Sequence, residues 1–193
     1  MMNYIQADKT IDCKGLACPM PIIKTKKAMN ELLSGQVIEV VATDKGSLAD
    51  IQGWSRNAGH QYLGTLMDGE VLKHYLRKSN PNEIKEEINY LKTSSNGDLM
   101  KKLISNENMM ILDVRETAEY VFNHIPGAKS IPLGELDMRT SELDPDQELH
   151  IVCRTGTRSD IACQLLADKG FKLVYNVLPG MSEWEGPLEN DVQ

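Results

Sequence analysis

The spacing of apolar positions changes from element to element along the first 80 residues. "KTIDCKG" (9–15) reads as a short strand. From Pro19 to about Leu33 the apolar residues Ile22, Ile23, Ala28, Met29, Leu32 and Leu33 make one stripe, with Lys24, Lys26 and Lys27 elsewhere, which predicts an amphipathic helix. "QVIEVVAT" is short and β-branched, as a strand requires. Ser47, as a candidate N-cap, and Gly59 frame a second helix. Two further strands, around "YLGTLMDGE" and "VLKHYLRK", meet at a hairpin turn expected at Asp68-Gly69. The order is βαβαββ, a two-layer α/β sandwich with both helices on one face of the sheet.

The pattern then breaks. Pro81 and the polar cluster at 94–97 flank a charged piece, Glu83 to Lys92, with the makings of a short helix. Residues 81–96 are therefore expected to be a linker between domains at 1–80 and 97–193. Beyond it strands and helices alternate: "NMMILDV" a strand, "ETAEYVFN" a helix, "GAKSIPL" a strand and turn, "LHIVCRT" a strand, "RSDIACQLLADKG" a helix closed by Gly170, and "KLVYNVLPG" a strand and turn. Interleaving of this kind predicts an α/β domain whose mainly parallel sheet is covered on both faces.

Composition narrows the function classes. The chain of 193 residues suits two domains better than one. It shows neither a long apolar run nor a basic-then-apolar leader, so a soluble, cytoplasmic protein without membrane partners is expected. Its four cysteines, at 13, 18, 153 and 163, have neither disulfide-framework nor metal-finger spacing and read as free thiols. The net charge of −7 argues against direct nucleic-acid binding. It is unevenly spread: 10 Lys and Arg stand against 8 Asp and Glu up to Asn80, a balance of +2, and 11 against 20 from Pro81 on, a balance of −9.

Candidate chemistry rests on two of the thiols. Cys18 runs into Pro19-Met20-Pro21, and proline is tolerated in the first turn of a helix, so Cys18 belongs at or just before an N-cap. There the helix dipole would favour the nucleophilic thiolate and lower the thiol pKa. The alternative is a small hydrophobe in the core. Cys153 ends an apolar strand and is followed by Arg154, Thr155, Gly156, Thr157 and Arg158, a small loop that opens a helix. In an open α/β sheet ligands bind at the carboxyl ends of strands, and the N–H groups of such a loop can hold an anion. A cation at a helix start, Arg158, is unfavourable unless something negative lies beside it, and an anionic Cys153 sulfur would serve. Arg154 adds a second positive charge. Four residues separate Cys153 from Arg158, a tighter ring than a cysteine phosphatase uses and one suited to a single extra sulfur. Cys163, His124 and Trp184 read as structural.

"ILDVRETAEYVFNHIPGAKSIPLGEL", "IVCRTGTRS" and "VYNVLPGMSEW" occur in order, and residues 97–187 resemble a single-domain rhodanese, a sulfurtransferase family. The resemblance implies that Cys153 carries a persulfide, that residues 153–158 form its cradle, and that Asp113 and Arg115 brace the site. Residues 9–79, with Gly15-Leu16-Ala17-Cys18-Pro19-Met20-Pro21, are similar to the TusA/SirA-like sulfur carriers, which implies that Cys18 accepts and passes on a persulfide. The whole chain resembles a YrkF-like fusion of carrier and transferase.

That resemblance implies sulfur transfer through covalent cysteine persulfides, relayed from Cys153 to Cys18 or in reverse, with no other cofactor and no metal. The donor would be thiosulfate or a low-molecular-weight persulfide, and the other partner a sulfur-acceptor protein or another TusA-like carrier. Two readings compete with it. One is a thiol–disulfide or persulfide sensor using Cys13 and Cys18; the other is a non-catalytic adaptor. Cys13 is a resolving thiol, a second carrier site or a bystander.

Overall fold

A computed structural model describes residues 5–79 and 88–192. The chain divides into two compact units, Met1–Pro81 with Val192–Gln193, and Asn82–Asp191.

In the first unit, β1 (Lys9–Cys13), α1 (Met20–Glu31), β2 (Val37–Ala42), α2 (Ser47–Asn57), β3 (Gln61–Asp68) and β4 (Val71–Arg77) follow the expected βαβαββ order. The sheet order is β1-β2-β4-β3, with β1 parallel to β2 and the other pairs antiparallel. Ile38, Val40 and Ala42 alternate along β2 towards one face. There they meet Ala28 and Met29 from the first helix, Leu32 just past its end and Ile51 from the second helix, which makes the two-layer core.

Three local expectations shift. The buried face of α1 carries Pro21, Thr25, Ala28 and Met29, while Ile23 and Leu33 are exposed. The N-cap of α2 is Gly46, not Ser47. Ser47 is buried instead, donating to Asp44 O at 2.6 Å and hydrogen-bonding His74 Nε2 at 3.0 Å, because a buried imidazole needs a polar partner. The hairpin turn sits one residue later than expected, on Gly69-Glu70 between the paired Asp68 and Val71, where Gly69 takes φ +61°.

The second unit contains β5 (Thr93–Ser95), α3 (Asn96–Ile104), β6 (Met109–Asp113), α4 (Thr117–Phe122), β7 (Lys129–Ser130), α5 (Leu133–Arg139), β8 (Glu148–Val152), α6 (Thr157–Asp168) and β9 (Val174–Leu178). The sheet order is β5-β9-β8-β6-β7, and its strands pair in parallel throughout the described residues. Alternate strand residues feed two cores. Leu112, Leu149, Ile151 and Val174 pack with Leu136, Ala162, Cys163 and Leu166, whereas Ile111, Val152 and Val177 pack with Leu99, Ile125 and Trp184. Both faces are thus covered, as a parallel sheet requires.

The expected linker reaches too far. Residues 83–87 of the proposed helix lie outside the described residues, and 88–92 are not helical. Thr93–Ser95 adds an edge strand to β9, Tyr90 N donates to Asp160 Oδ1 at 2.8 Å, and Ser95 caps α3 by accepting from Asp98 N. A three-residue polar edge strand has too little apolar alternation to be read from sequence. The sequence pattern does not predict the helices Asn96–Ile104 and Leu133–Arg139; the first starts on the last residue of the expected linker and the second follows Pro132.

Leu112 is fully buried in the second core and Leu91 is 94% exposed. Leu112→Ala is expected to cost about 2–5 kcal/mol in denaturant unfolding, and Leu91→Ala less than about 0.5 kcal/mol.

Candidate functional site

Cys153 leaves the carboxyl end of β8 and the chain turns at once into α6. Two donors meet its sulfur: the Gly156 backbone N–H at 3.2 Å and the Ser159 hydroxyl at 3.3 Å. Gly156 takes φ +91°, and a Cβ on it would lie 2.3 Å from Leu178 Cδ2, so neither backbone nor space admits a side chain. Beneath the loop runs the segment after β9. Met181 N donates to Cys153 O at 2.8 Å and Ser182 N to Arg154 O at 2.9 Å. Gly180 lets the two backbones approach, since a Cβ there would stand 2.6 Å from Cys153 O. Cys153 is 1% exposed; Arg154 and Thr155 are half-buried, and Gly156, Thr157 and Arg158 are buried.

Arg158 has a different partner from the one expected. Its Nη1 and Nη2 donate to Glu119 Oε2 and Oε1 at 2.7 and 3.1 Å, a bidentate pair with both residues buried. The negative group that makes an arginine tolerable at this helix start is the Glu119 carboxylate from α4 rather than the sulfur. Glu119 Oε2 also accepts from Glu116 N at 3.0 Å, which fixes the carboxylate in place.

Asp113 and Arg115 do brace one another. Arg115 Nη2 donates to Asp113 Oδ2 at 2.6 Å and to Asn123 O at 2.6 Å, and Asp113 sits opposite Val152, the residue before Cys153. His124 stacks on Tyr120, with ring centroids 3.8 Å apart, and bridges to Glu189; this is a structural place. Cys163 lies in the core, and burial pushes its thiol well above the ordinary range, with Asp160 adding to the effect.

Cys18 is exposed, immediately before Pro19, the N-cap of α1. Its loop meets the turn that follows β2: Gly15 N donates to Thr43 Oγ1 at 2.9 Å and Cys18 N to Asp44 Oδ2 at 3.3 Å. Here the expectation of a lowered pKa fails. A hydrogen bond to the Asp50 side chain pushes the Cys18 thiol up, and burial and the charges of Asp50 and Asp44 push the same way. Nearby carboxylates favour the thiol over the thiolate even at a helix start. Cys13 is fully buried in the first core, and that burial raises its thiol pKa. It offers Cys18 no solvent-side partner.

The sequence reading missed Ser159, Asn176, Glu119, Gly180 and Asp50. Only Gly180 carried a local signal, standing just after a strand and a proline. Among the described residues, no three His, Cys, Asp or Glu gather as a metal site would need.

Residues 9–78 match the family model "Sulfurtransferase TusA" and residues 96–187 the model "Rhodanese-like domain". The chain is 46% identical over 185 residues to YrkF of Bacillus subtilis, a candidate sulfur carrier protein, covering 96% of this chain and all of that one. It therefore belongs to the YrkF-like family of TusA–rhodanese fusions. The fusion is also 36% identical over 72 residues to the sulfur carrier protein TusA of Allochromatium vinosum, covering 37% of this chain and 95% of the relative. A third match, 38% identical over 96 residues, is the candidate sulfurtransferase YtwF of Bacillus subtilis, covering 50% of this chain and 92% of that one. Membership assigns the YrkF-like fusion to sulfur transfer in general, with exchange between carrier and partner proteins. No helix among its described residues is long and apolar enough to cross a membrane.

Two outcomes follow from the site. Glu119→Gln removes the bidentate carboxylate of the buried Arg158, leaving Glu116 Oε1 4.0 Å from Nη1, and should cost about 3 kcal/mol in equilibrium unfolding. Asp50→Asn removes the group that holds Cys18 protonated, so iodoacetamide should alkylate Cys18 faster in the variant at any pH below the thiol midpoint; equal rates would contradict the assignment.

Proposed function

We propose that this chain is a sulfurtransferase with a built-in carrier, in which Cys153 takes a sulfane sulfur from thiosulfate or a low-molecular-weight persulfide and passes it to Cys18. The observation that carries the reading is the pair of groups able to donate, Gly156 N–H and the Ser159 hydroxyl, both within hydrogen-bond reach of the Cys153 sulfur. A buried sulfur supplied with fixed donors is suited to exist as an anion.

With thiosulfate as donor, the Cys153 thiolate attacks the sulfane sulfur, the sulfur–sulfur bond of thiosulfate breaks, and sulfite leaves with the bonding pair. In the second step the Cys18 thiol loses its proton and attacks the outer sulfur of the Cys153 persulfide. The bond between the two sulfurs on Cys153 breaks, and Cys153 departs as thiolate into the same donors. One sulfane sulfur changes carrier and nothing is oxidised or reduced overall. Fusion raises the concentration of one thiol near the other. From Cys18 the sulfur goes on to an acceptor protein or another TusA-like carrier, in the cytoplasm.

Asp113, Arg115 and Glu119 act on this scheme by holding the strand end and helix start that define the loop, and Arg154 offers the incoming anionic donor a positive charge. An oxidised Cys13–Cys18 pair is the main alternative, and the burial of Cys13 disfavours it.

Intact-mass analysis after incubation with thiosulfate tests the reading. Wild type should gain one reductant-labile sulfur, Cys153→Ser none, and Cys18→Ser should retain it on Cys153. If Cys153→Ser loads Cys18 from thiosulfate as fast as wild type, the relay is wrong.

A further inference from the structure

Asn176 lies on β9, fully buried, and plays no part in the scheme above. Its Nδ2 donates to Gly156 O at 3.1 Å, which fixes the orientation of the amide. Oδ1 must then face Ser159, whose hydroxyl lies 2.6 Å away. The same hydroxyl oxygen is 3.3 Å from Cys153 Sγ. Ser159 is fully buried, between an amide that can only accept on this side and a sulfur that can be donor or acceptor.

A hydroxyl carries one proton. With Cys153 as a thiol, S–H can donate to Ser159 Oγ while Ser159 donates to Asn176, and both bonds are made. With Cys153 as thiolate the sulfur can only accept. Ser159 must then turn its proton from Asn176 Oδ1 to the sulfur, and the amide oxygen loses that donor. The two acceptors compete for one proton, and the protonation state of sulfur decides which one holds it.

We propose that Ser159 is a catalytic residue whose hydroxyl rotates from Asn176 to Cys153 when the sulfur becomes a thiolate, and that Asn176 is the positioning residue opposing that rotation. Since Cys153 is thiolate both when it attacks the donor and when it leaves the persulfide, the rotation serves both ends of the proposed relay. The inference rests on the reading of Cys153 as sulfur carrier. While Cys153 is a thiol, Asn176 Oδ1 holds the Ser159 proton; when the thiol proton passes to solvent, that hydroxyl is released to the sulfur. Nothing is oxidised in the step: the S–H proton passes to solvent water and one O–H group turns.

Two groups contact this sulfur, Gly156 N–H from the loop and the Ser159 hydroxyl from α6. Cys163 lies within electrostatic reach of Cys153 and of Asp160, both Cys163 and Asp160 being on α6; β9 brings Asn176 to Ser159, and Arg158, at the start of α6, is paired with Glu119 of α4.

The test is the pH profile of Cys153 alkylation in the full chain carrying Cys18→Ser, read by peptide mass. Ser159→Ala removes a donor to the thiolate and should move the profile up by about one pH unit, a ~10-fold loss of thiolate below the midpoint. Ser159→Thr keeps the hydroxyl and should stay near the parent profile. Asn176→Leu removes the competing acceptor and should move the profile down. In the double variant Ser159→Ala/Asn176→Leu the downward shift should vanish, because Asn176 acts through Ser159. A merely structural role would move both single variants in the same direction. That result, or an unmoved profile in Ser159→Ala, overturns the proposal. Thiosulfate loading of the same proteins separates the two readings: opposite shifts without any loading would sink the carrier reading and leave the hydroxyl switch standing.

Discussion

A buried sulfur that must become an anion is tolerable only where hydrogen-bond donors already point at it, because removing a charge from water without partners costs several kcal/mol. Much of the second unit can be traced to that constraint. Donors on a backbone can be aimed only by a loop of fixed shape, and the loop from Cys153 to Arg158 is fixed from three sides. Behind it the Met181 and Ser182 amides hold its carbonyls; beside it Glu119 holds Arg158; below it Asn176 holds the Gly156 carbonyl. Glycine at 156 and 180 is what lets these supports come close enough.

The two thiols of the proposed relay live in opposite electrostatic surroundings. Cys153 faces an N–H group and a hydroxyl, whereas Cys18 faces the carboxylates of Asp44 and Asp50, which push its thiol up. In the proposed scheme the cradle therefore favours anionic sulfur and the carrier site disfavours it. A persulfide on Cys18 would sit beside two negative charges, which disfavour its anionic form. The same carboxylates keep an exposed thiol from reacting indiscriminately, since the thiolate is the nucleophile.

Periodicity in the sequence was enough to read the first unit as βαβαββ and to place Cys18 before a helix and Cys153 after a strand. Its failures share a cause: a residue's partner lay far along the chain. Proline at 19 and 21 announced the helix start, but the charge that sets the Cys18 thiol comes from Asp50, on another helix. Arg158 announced the need for a negative neighbour, and Glu119, 39 positions earlier, supplies it. Asn176 had no local signature at all, being one polar residue in an otherwise apolar strand. Short polar pieces such as Thr93–Ser95 gain their identity only from the strand they pair with.

The central claim is an ordered transfer from Cys153 to Cys18. It is tested most directly by mixing the reduced full-length chain with one equivalent of thiosulfate carrying an isotopic label in its sulfane sulfur, quenching at intervals with an alkylating agent, and mapping the label by peptide mass. The account predicts that the Cys153 peptide is labelled first and then loses label at the rate at which the Cys18 peptide gains it. Label reaching Cys18 before Cys153, or rising on Cys18 while Cys153 stays empty throughout, would contradict it.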